Sequence, residues 1–532
     1  MSNSNQLINE PSETGTHSSS NSLNSDIIWC PLRRIFNVVN IKQMVNEQSR
    51  RLAIKVESFY RPHQRDSNHK NTTIKMMSEP ALTSSFESFL IEHYKPGKCL
   101  IVDTCNYKGL AFRGLFNDLR PDMLWLNSLN EENLIDTSFL PFNIVSVLEL
   151  KTRELKNTNY NQLATYLSLV LRHSPGRTFI IGCLTNFNQT SIIKVSINSD
   201  NKFTYIASMC EQENLEGLNS FEILSLHLTL TAEQLGVNNC FKFPYESIII
   251  QDWIGRGSSS FAFKCCNRGS DSCYVLKVSR DKSQYEYEVI EQLHKEKFIS
   301  NLHDINIIST VALPVNKNDY LIGLNEIGVR MDKAKFLERK TLSDIWKQVN
   351  LAHKTGIIHC DIRLENIVLH NDNVYLIDWA SSMKKLEPSL YRRCLTTASS
   401  SILQELIDHV MQRINGPMIC YISDDGIAFL KCIFLQLEFG LDVNKCIHDA
   451  FKQPGCIYSR ISSIYEIKMG KLVHKLLVQC IYYLEKYRQS LSEKELNNII
   501  VHMIENENYL IELNESEILT IDTYFEKIRL NA

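Results

Sequence analysis

The stretch His359-Cys360-Asp361-Ile362-Arg363-Leu364-Glu365-Asn366-Ile367, followed by Leu376-Ile377-Asp378-Trp379-Ala380, decides how the second half of this chain is read. Asp361 is a carboxylate able to accept a hydroxyl proton. Asn366 and Asp378 offer hard oxygen ligands of the kind Mg2+ takes. Arg363 sets a permanent positive charge beside them, where a phosphoryl group in transfer carries developing negative charge. Each short motif arises by chance, but their order and spacing together are hard to imitate.

Three features upstream join this set. Gly255-Arg256-Gly257-Ser258-Ser259-Ser260-Phe261 follows an apolar strand. Its glycines let backbone N–H groups approach phosphates closely, although a lone Gly-x-Gly is also an ordinary hairpin turn. Lys277 lies within Val275-Leu276-Lys277-Val278. In that setting it is either an exposed edge lysine or a contact to the phosphates of ATP. Glu286 heads a helix in which Val289, Ile290 and Leu293 share its face. A carboxylate on an apolar stripe needs a partner, and Lys277 would serve. Glu288 and Glu291 fall off that stripe.

This set resembles the eukaryotic protein-kinase family over about residues 246 to 450. The resemblance implies a bilobal fold, ATP and Mg2+ as cofactors, and a protein substrate phosphorylated on Ser or Thr. It implies that Gly255, Gly257, Ser260 and Lys277 hold the nucleotide and that Lys277 pairs with Glu286. It makes Asp361 the catalytic base, with Arg363 beside it, and Asn366 and Asp378 the metal ligands. The chain departs from the family at Ser260, where a third glycine is usual, at Asp378-Trp379-Ala380 for Asp-Phe-Gly, and at Arg363 for a lysine. No Ala-Pro-Glu motif is visible. The retained charge and ligands favour an active enzyme. The Ile-Asp-Trp ending is also similar to small-molecule kinases of the aminoglycoside and choline type, which stand as an alternative.

The first half reads differently. Pro121-Asp122 is followed by Glu149-Leu150-Lys151 at the end of an apolar strand, then by Gln162 and Tyr166 on a helix. Glu149 and Lys151 project from one strand face, and Gln162 and Tyr166 from one helix face. Two carboxylates can hold a divalent cation while the lysine stabilises charge on water and phosphate. A lone Glu-x-Lys is usually only polar punctuation. The combination resembles the PD-(D/E)xK restriction-endonuclease-like fold, particularly its RecB-like members. It implies catalytic Asp122, Glu149 and Lys151, a Mg2+ or Mn2+ ion on Asp122 and Glu149, and DNA as substrate. Glu87 is expected to be a solvated helix residue rather than a further acid. A DNA footprint is expected near Lys151, Arg153, Lys156 and Arg172. A nuclease-like block fused to a kinase-like block resembles the Crinkler family, which implies nuclear action. No header with that family's Leu-Phe-Leu-Ala-Lys-type motif is found. A non-catalytic DNA-binding platform is the alternative for this half.

Composition sets the frame. The chain has 532 residues, 44% hydrophobic and 22% charged, ordinary for globular domains and unlike a disordered chain. Lys plus Arg number 57 and Asp plus Glu 60, a net charge of −3 that excludes a polybasic chain overall. The 16 cysteines lack finger spacing, which argues against a zinc module and suits buried thiols in a reducing compartment. No secretory signal or membrane-spanning run is visible, so an intracellular, soluble protein is expected. The expected fold class is multidomain, α/β and α+β: a restriction-endonuclease-like α/β core, then a bilobal protein-kinase-like fold. The expected boundaries are a disordered leader 1–26, an N-terminal extension 27–77, the nuclease-like domain 78–243, the kinase-like domain 244–470 and a helical extension of the kinase lobe 471–532. Cys360 stands where loop-regulated kinases place arginine. A thiol makes no charge-assisted pair with a phosphate. Activity is therefore expected not to require phosphorylation at Thr396, Thr397, Ser399, Ser400 or Ser401.

Overall fold

A computed structural model of the chain describes residues 27–530, apart from 39, 61–77, 95–98, 105–114, 117–118, 128–139, 199–201, 209–216, 238–240, 242, 245, 258–259, 271, 282, 312, 314–318, 326, 390–393, 413–415, 452 and 454. The expected leader, 1–26, lies outside the described residues. The chain divides into two compact units. The first comprises Met1–Ser270, Lys277–Asp281 and Val315–Leu321, and the second Asp271–Leu276, Lys282–Pro314 and Ile322–Ala532.

The first unit is built on a seven-stranded mixed sheet. Its strands are β1 (Ile27–Cys30), β2 (Cys99–Asp103), β3 (Met123–Asn127), β4 (Ile144–Leu150), β5 (Phe179–Thr185), β6 (Thr190–Ile197) and β7 (Phe203–Ser208), in the order β1-β7-β6-β5-β4-β3-β2. Strands β2 to β4 form an antiparallel meander. Helix α3 (Asn157–Arg172) then crosses from β4 to β5, which makes that pair parallel. All seven residues of β4 are buried, as its near-continuous apolar run requires of a strand covered on both faces. Gly182 on β5 lets α3 approach closely, because a Cβ there would lie 2.9 Å from both Leu167 and the Val147 carbonyl. The other helices are α1 (Glu47–Tyr60), α2 (Glu79–His93) and α4 (Ser220–Thr229).

The first packing unit takes in segments on both sides of residues 78–243. Residues 27–60 are not an appendage to this unit. Strand β1 pairs in parallel with β7, and Leu52, Val56 and Tyr60 of α1 enter the core with Phe86, Phe187 and Leu224. Short runs such as Ile27–Cys30 carry little periodic signal, so only pairing reveals them. The compact unit also extends past residue 243. It includes the antiparallel hairpin of β8 (Ile248–Arg256) and β9 (Ser260–Asn267).

The second unit is mainly helical. Strand β10 (Cys273–Ser279) falls across the division at residues 276 and 277. Helix α5 (Gln284–Ile299) and a hairpin of β11 (Thr310–Val311) and β12 (Leu321–Leu324) follow. Small antiparallel pairings follow: β13 (Val329–Arg330) with β15 (Ile367–His370) and β16 (Asn373–Leu376), and β14 (Ile357–Ile358) with β17 (Met383–Lys384). The helices are α6 (Arg339–Lys354), α7 (Ser400–Gln412), α8 (Ile422–Gln436), α9 (Leu441–Ala450), α10 (Ile457–Gly470), α11 (Leu476–Lys486), α12 (Glu493–Glu505) and α13 (Ile521–Leu530). Helix α8 is buried all round except at its last residue, so its Ser423, Asp424, Asp425 and Lys431 must find partners inside the core. The segment after residue 470 shares its core: Leu477, Leu484 and Ile500 cluster with Phe429 and Ile433. No helix among the described residues is long and apolar enough to cross a membrane.

Arg177 joins three parts of the first unit. Its buried guanidinium donates to the carbonyls of Ile144 (2.6 Å), Val145 (2.7 Å), Phe179 (3.0 Å) and Leu235 (2.9 Å). Arg177→Met should therefore strand several buried acceptors and destabilise this unit by about 3 kcal/mol, measured by urea denaturation. A loss near zero would show that water replaces the guanidinium.

Candidate functional site

The catalytic-type segment of the second unit is shaped by one buried carboxylate. Asp425, on α8, accepts hydrogen bonds from the backbone N–H of His359 (2.8 Å) and Cys360 (2.7 Å), and its Oδ2 lies 3.0 Å from His353 Nε2. Burial alone would raise its pKa, but these contacts hold it below the ordinary range. The anchoring matters because Cys360 has φ +63°, a left-handed conformation costly for a side chain with a Cβ. His359 continues the network. Its Nε2 bonds to the Ile377 carbonyl (3.1 Å), its Nδ1 accepts from Asp361 N–H (3.2 Å), and its ring packs edge-on against Trp379 at 4.5 Å.

The expected site residues of this segment come together. Asn366 Nδ2 donates to Asp361 Oδ2 (2.7 Å) and to the Asp361 carbonyl (2.9 Å). With its nitrogen so committed, the Asn366 amide oxygen is the atom left to bind a metal. Arg363 Nε lies 3.6 Å from Asp361 Oδ1, which also accepts from Cys394 N–H at 3.2 Å. Asp378 takes the left-handed conformation, φ +67°, at the end of the β16 turn. Burial raises the Asp361 carboxyl to about 6, with Arg363 pulling it down and Asp378 pushing it up. Glu286 is 2% exposed and packs on α5 with Val289, Ile290 and Leu293, the face expected from its spacing. Lys277 is partly buried on β10, in the part that belongs to the first unit.

Gly255 and Gly257 lie at the turn of the β8–β9 hairpin, closed by a hydrogen bond from Gly257 N–H to the Ser260 carbonyl at 2.8 Å. A Cβ on Gly255 would meet nothing within 4 Å, so open space adjoins that backbone. Sequence reasoning missed what holds the turn. His173, after α3, bonds through Nε2 to the Gly257 carbonyl at 3.2 Å and lies 4.6 Å from the Phe261 ring, while Arg256 donates to the Leu115 carbonyl. Burial keeps His173 neutral, its pKa pushed down to about 3. A lone histidine after an apolar helix carries no signal for this.

The first unit also gathers its expected residues. Asp122 and Glu149 are cross-tied through the backbone: Asp122 N–H donates to Glu149 Oε1 (2.9 Å) and Leu150 N–H to Asp122 Oδ2 (2.8 Å). Lys151 Nζ lies 2.9 Å from Glu149 Oε2 and 3.2 Å from Asp122 Oδ2. Gln162 donates to the Tyr166 hydroxyl (2.8 Å), which donates to the Arg120 carbonyl (3.1 Å). Burial and then the Asp122 charge push Glu149 up to about 8. Burial opposes the Lys151 charge, but Glu149 and Asp122 together hold its pKa above the ordinary range. Burial and then Glu149 raise Tyr166.

Three details correct the sequence expectation. Lys151 is buried in this cluster rather than on a cationic surface. Arg172 is largely desolvated and stacks over Phe203 at 5.2 Å, so Arg153 and Lys156 alone of the four expected footprint residues are exposed. Glu87 is half-buried rather than freely solvated, and its Oε1 accepts from Asp103 N–H at 2.8 Å. The extra acid at the cluster is Glu79, in the first turn of α2, with Oε2 3.5 Å from Lys151 Nζ. Among the described residues no three His, Cys, Asp or Glu side chains gather to hold a metal by themselves.

A buried acid beside a guanidinium, an adjacent amide and a second carboxylate form the equipment of an enzyme that moves phosphoryl groups. Comparison with known proteins gives the particular class: residues 249–399 match the protein kinase domain family. The chain is 27% identical over 153 residues to NUAK family SNF1-like kinase 1 of Mus musculus, covering 26% of this chain and 23% of that protein. It is 26% identical over 156 residues to a probable serine/threonine-protein kinase of Clostridium perfringens, covering 26% and 21%. It thus spans less than a quarter of the length of these curated relatives. Among solved structures, vaccinia related kinase 3 aligns with a TM-score of 0.36 at 11% identity, covering 49% of this chain and 87% of that one. The match at residues 249–399 is thus to a class of domain that in general uses ATP and Mg2+.

The pKa of Asp361 makes a pH prediction. A base works only when ionised, so kcat/KM for phosphoryl transfer should fall below pH about 6 and level off above it. Arg363→Met withdraws the charge that lowers this pKa and should move the acid limb to higher pH. An unmoved limb would show that another group controls it.

Proposed function

We propose that the chain is an ATP- and Mg2+-dependent protein kinase that transfers phosphate to Ser or Thr hydroxyls. The observation that carries this reading is the joined pair Asp361 and Asn366, with Asn366 donating to the Asp361 carboxylate at 2.7 Å. Asp361 accepts the hydroxyl proton, and Arg363 offsets charge on the transferring group. The amide oxygen of Asn366 and the carboxylate of Asp378 would hold Mg2+, which neutralises phosphate charge when bound. Gly255, Gly257, Ser260 and Lys277 take the nucleotide phosphates, and Glu286 supports Lys277. Low-identity likeness to serine/threonine kinases supports the substrate class. Asp378→Ala should abolish autophosphorylation, in labelled ATP, while leaving the thermal unfolding profile intact. Wild-type transfer by this variant would refute the metal assignment.

A second activity is favoured by the cluster of Asp122, Glu149 and Lys151. We read it as a metal-dependent DNA nuclease site, joined to the kinase as in the Crinkler architecture. Two buried carboxylates held by one ammonium are a fitting donor set for Mg2+ or Mn2+, which would relieve the repulsion that raises Glu149. Lys151 would then stabilise charge on the phosphate, and Tyr166 and Gln162 bound the site from α3. Glu149→Ala should remove Mg2+- or Mn2+-dependent cleavage of plasmid DNA and spare phosphoryl transfer. If wild-type protein binds DNA in a salt-sensitive way but never cuts it, this half is a binding platform.

A further inference from the structure

We propose that Lys431 is a positioning residue for phosphoryl transfer, holding residues 394–400 in one arrangement beside the catalytic base without the aid of phosphorylation. This rests on the kinase reading. Lys431 lies in the middle of the apolar helix α8 and is 1% exposed. An ammonium there must be compensated on every side. Its Nζ donates to the Ala398 carbonyl at 2.6 Å, lies 3.5 Å from Glu485 Oε1 and sits 4.3 Å above the Tyr465 ring.

The same groups grip the neighbouring backbone. Glu485 Oε1 accepts from Ser400 N–H at 2.7 Å, and the Tyr465 hydroxyl donates to the Thr396 carbonyl. At the other edge, the Thr397 hydroxyl donates to the Ile362 carbonyl at 3.0 Å, and Cys394 N–H donates to Asp361 Oδ1. An acceptor hydroxyl must reach Asp361, so this segment borders the place where the acceptor lies. Three helices, α8, α10 and α11, hold it through one buried charge cluster.

Two of the hydroxyls here are committed. Thr397 and Ser399 are buried, and Ser399 Oγ accepts from Ile402 N–H at 3.3 Å. A phosphate on either would have to break this packing, whereas phosphate-ordered loops need an arginine to receive it. Here Cys360 occupies the catalytic-loop position and Lys431 supplies the ordering charge from beneath.

The test compares full-length wild type with Lys431→Met, Lys431→Arg and the double variant Lys431→Met/Glu485→Gln, which removes the stranded carboxylate if the single variant folds poorly. Amide hydrogen exchange at residues 394–400 should quicken in the methionine variants and much less in Lys431→Arg. The KM for casein should rise about tenfold, the effect of losing one charge-assisted hydrogen bond, with the KM for ATP within about twofold. Phosphatase-treated wild type should keep its starting rate. Unchanged exchange and casein KM in a folded variant, equal rises in both KM values, or a rate that collapses after phosphatase would each overturn the proposal. A wild type that transfers no phosphate to any protein overturns the kinase reading itself, and this role with it.

Discussion

The catalytic segment of the second unit depends on the Asp425 carboxylate. It sits inside α8, where no water can serve the backbone, and it accepts the N–H groups of two successive residues. That capture keeps Cys360 left-handed and so turns Asp361 toward Asn366. Without it the segment would have two unsatisfied buried donors and a strained residue, each unfavourable by a kcal/mol or more. The scaffold of this segment is thus one buried carboxylate on a helix packed into the core.

Helix α8 supports its other neighbours by the same device. Asp424 receives a buried fork from Arg488, whose Nε lies 2.6 Å from Asp424 Oδ1, and so ties α8 to the chain after α11. Lys431 binds the segment beyond the base. Three consecutive uses of charge on an otherwise apolar helix make its burial specific rather than merely favourable. Fully satisfied polar groups in a core select one arrangement, because any other leaves them stranded.

The first unit follows a different logic at its cluster. Asp122 and Glu149 arrive from β3's leading end and β4, and each carboxylate accepts a backbone N–H from the other's segment. The sheet therefore holds two like charges close together, and Lys151 offsets them.

The sequence by itself located the residues of both clusters. Spacing placed Val289, Ile290 and Leu293 on the face of Glu286, and the order of Asp361, Asn366 and Asp378 marked one segment. Local rules also found β4 and α3, whose apolar runs are long enough to show a period. Only tertiary structure decided the rest. Strand β1 is four residues long and becomes a strand by pairing with β7. Glu79 and Glu87 are alike in sequence on one helix, yet the sheet beside them puts Glu79 against Lys151 and Glu87 on a backbone amide. His173 reaches Gly257 84 residues away, Asp425 reaches His359 and Cys360 66 and 65 residues away, and Lys431 reaches Ala398 33 residues away. Which buried charge meets which backbone group is set by packing across the chain, and no local period encodes it.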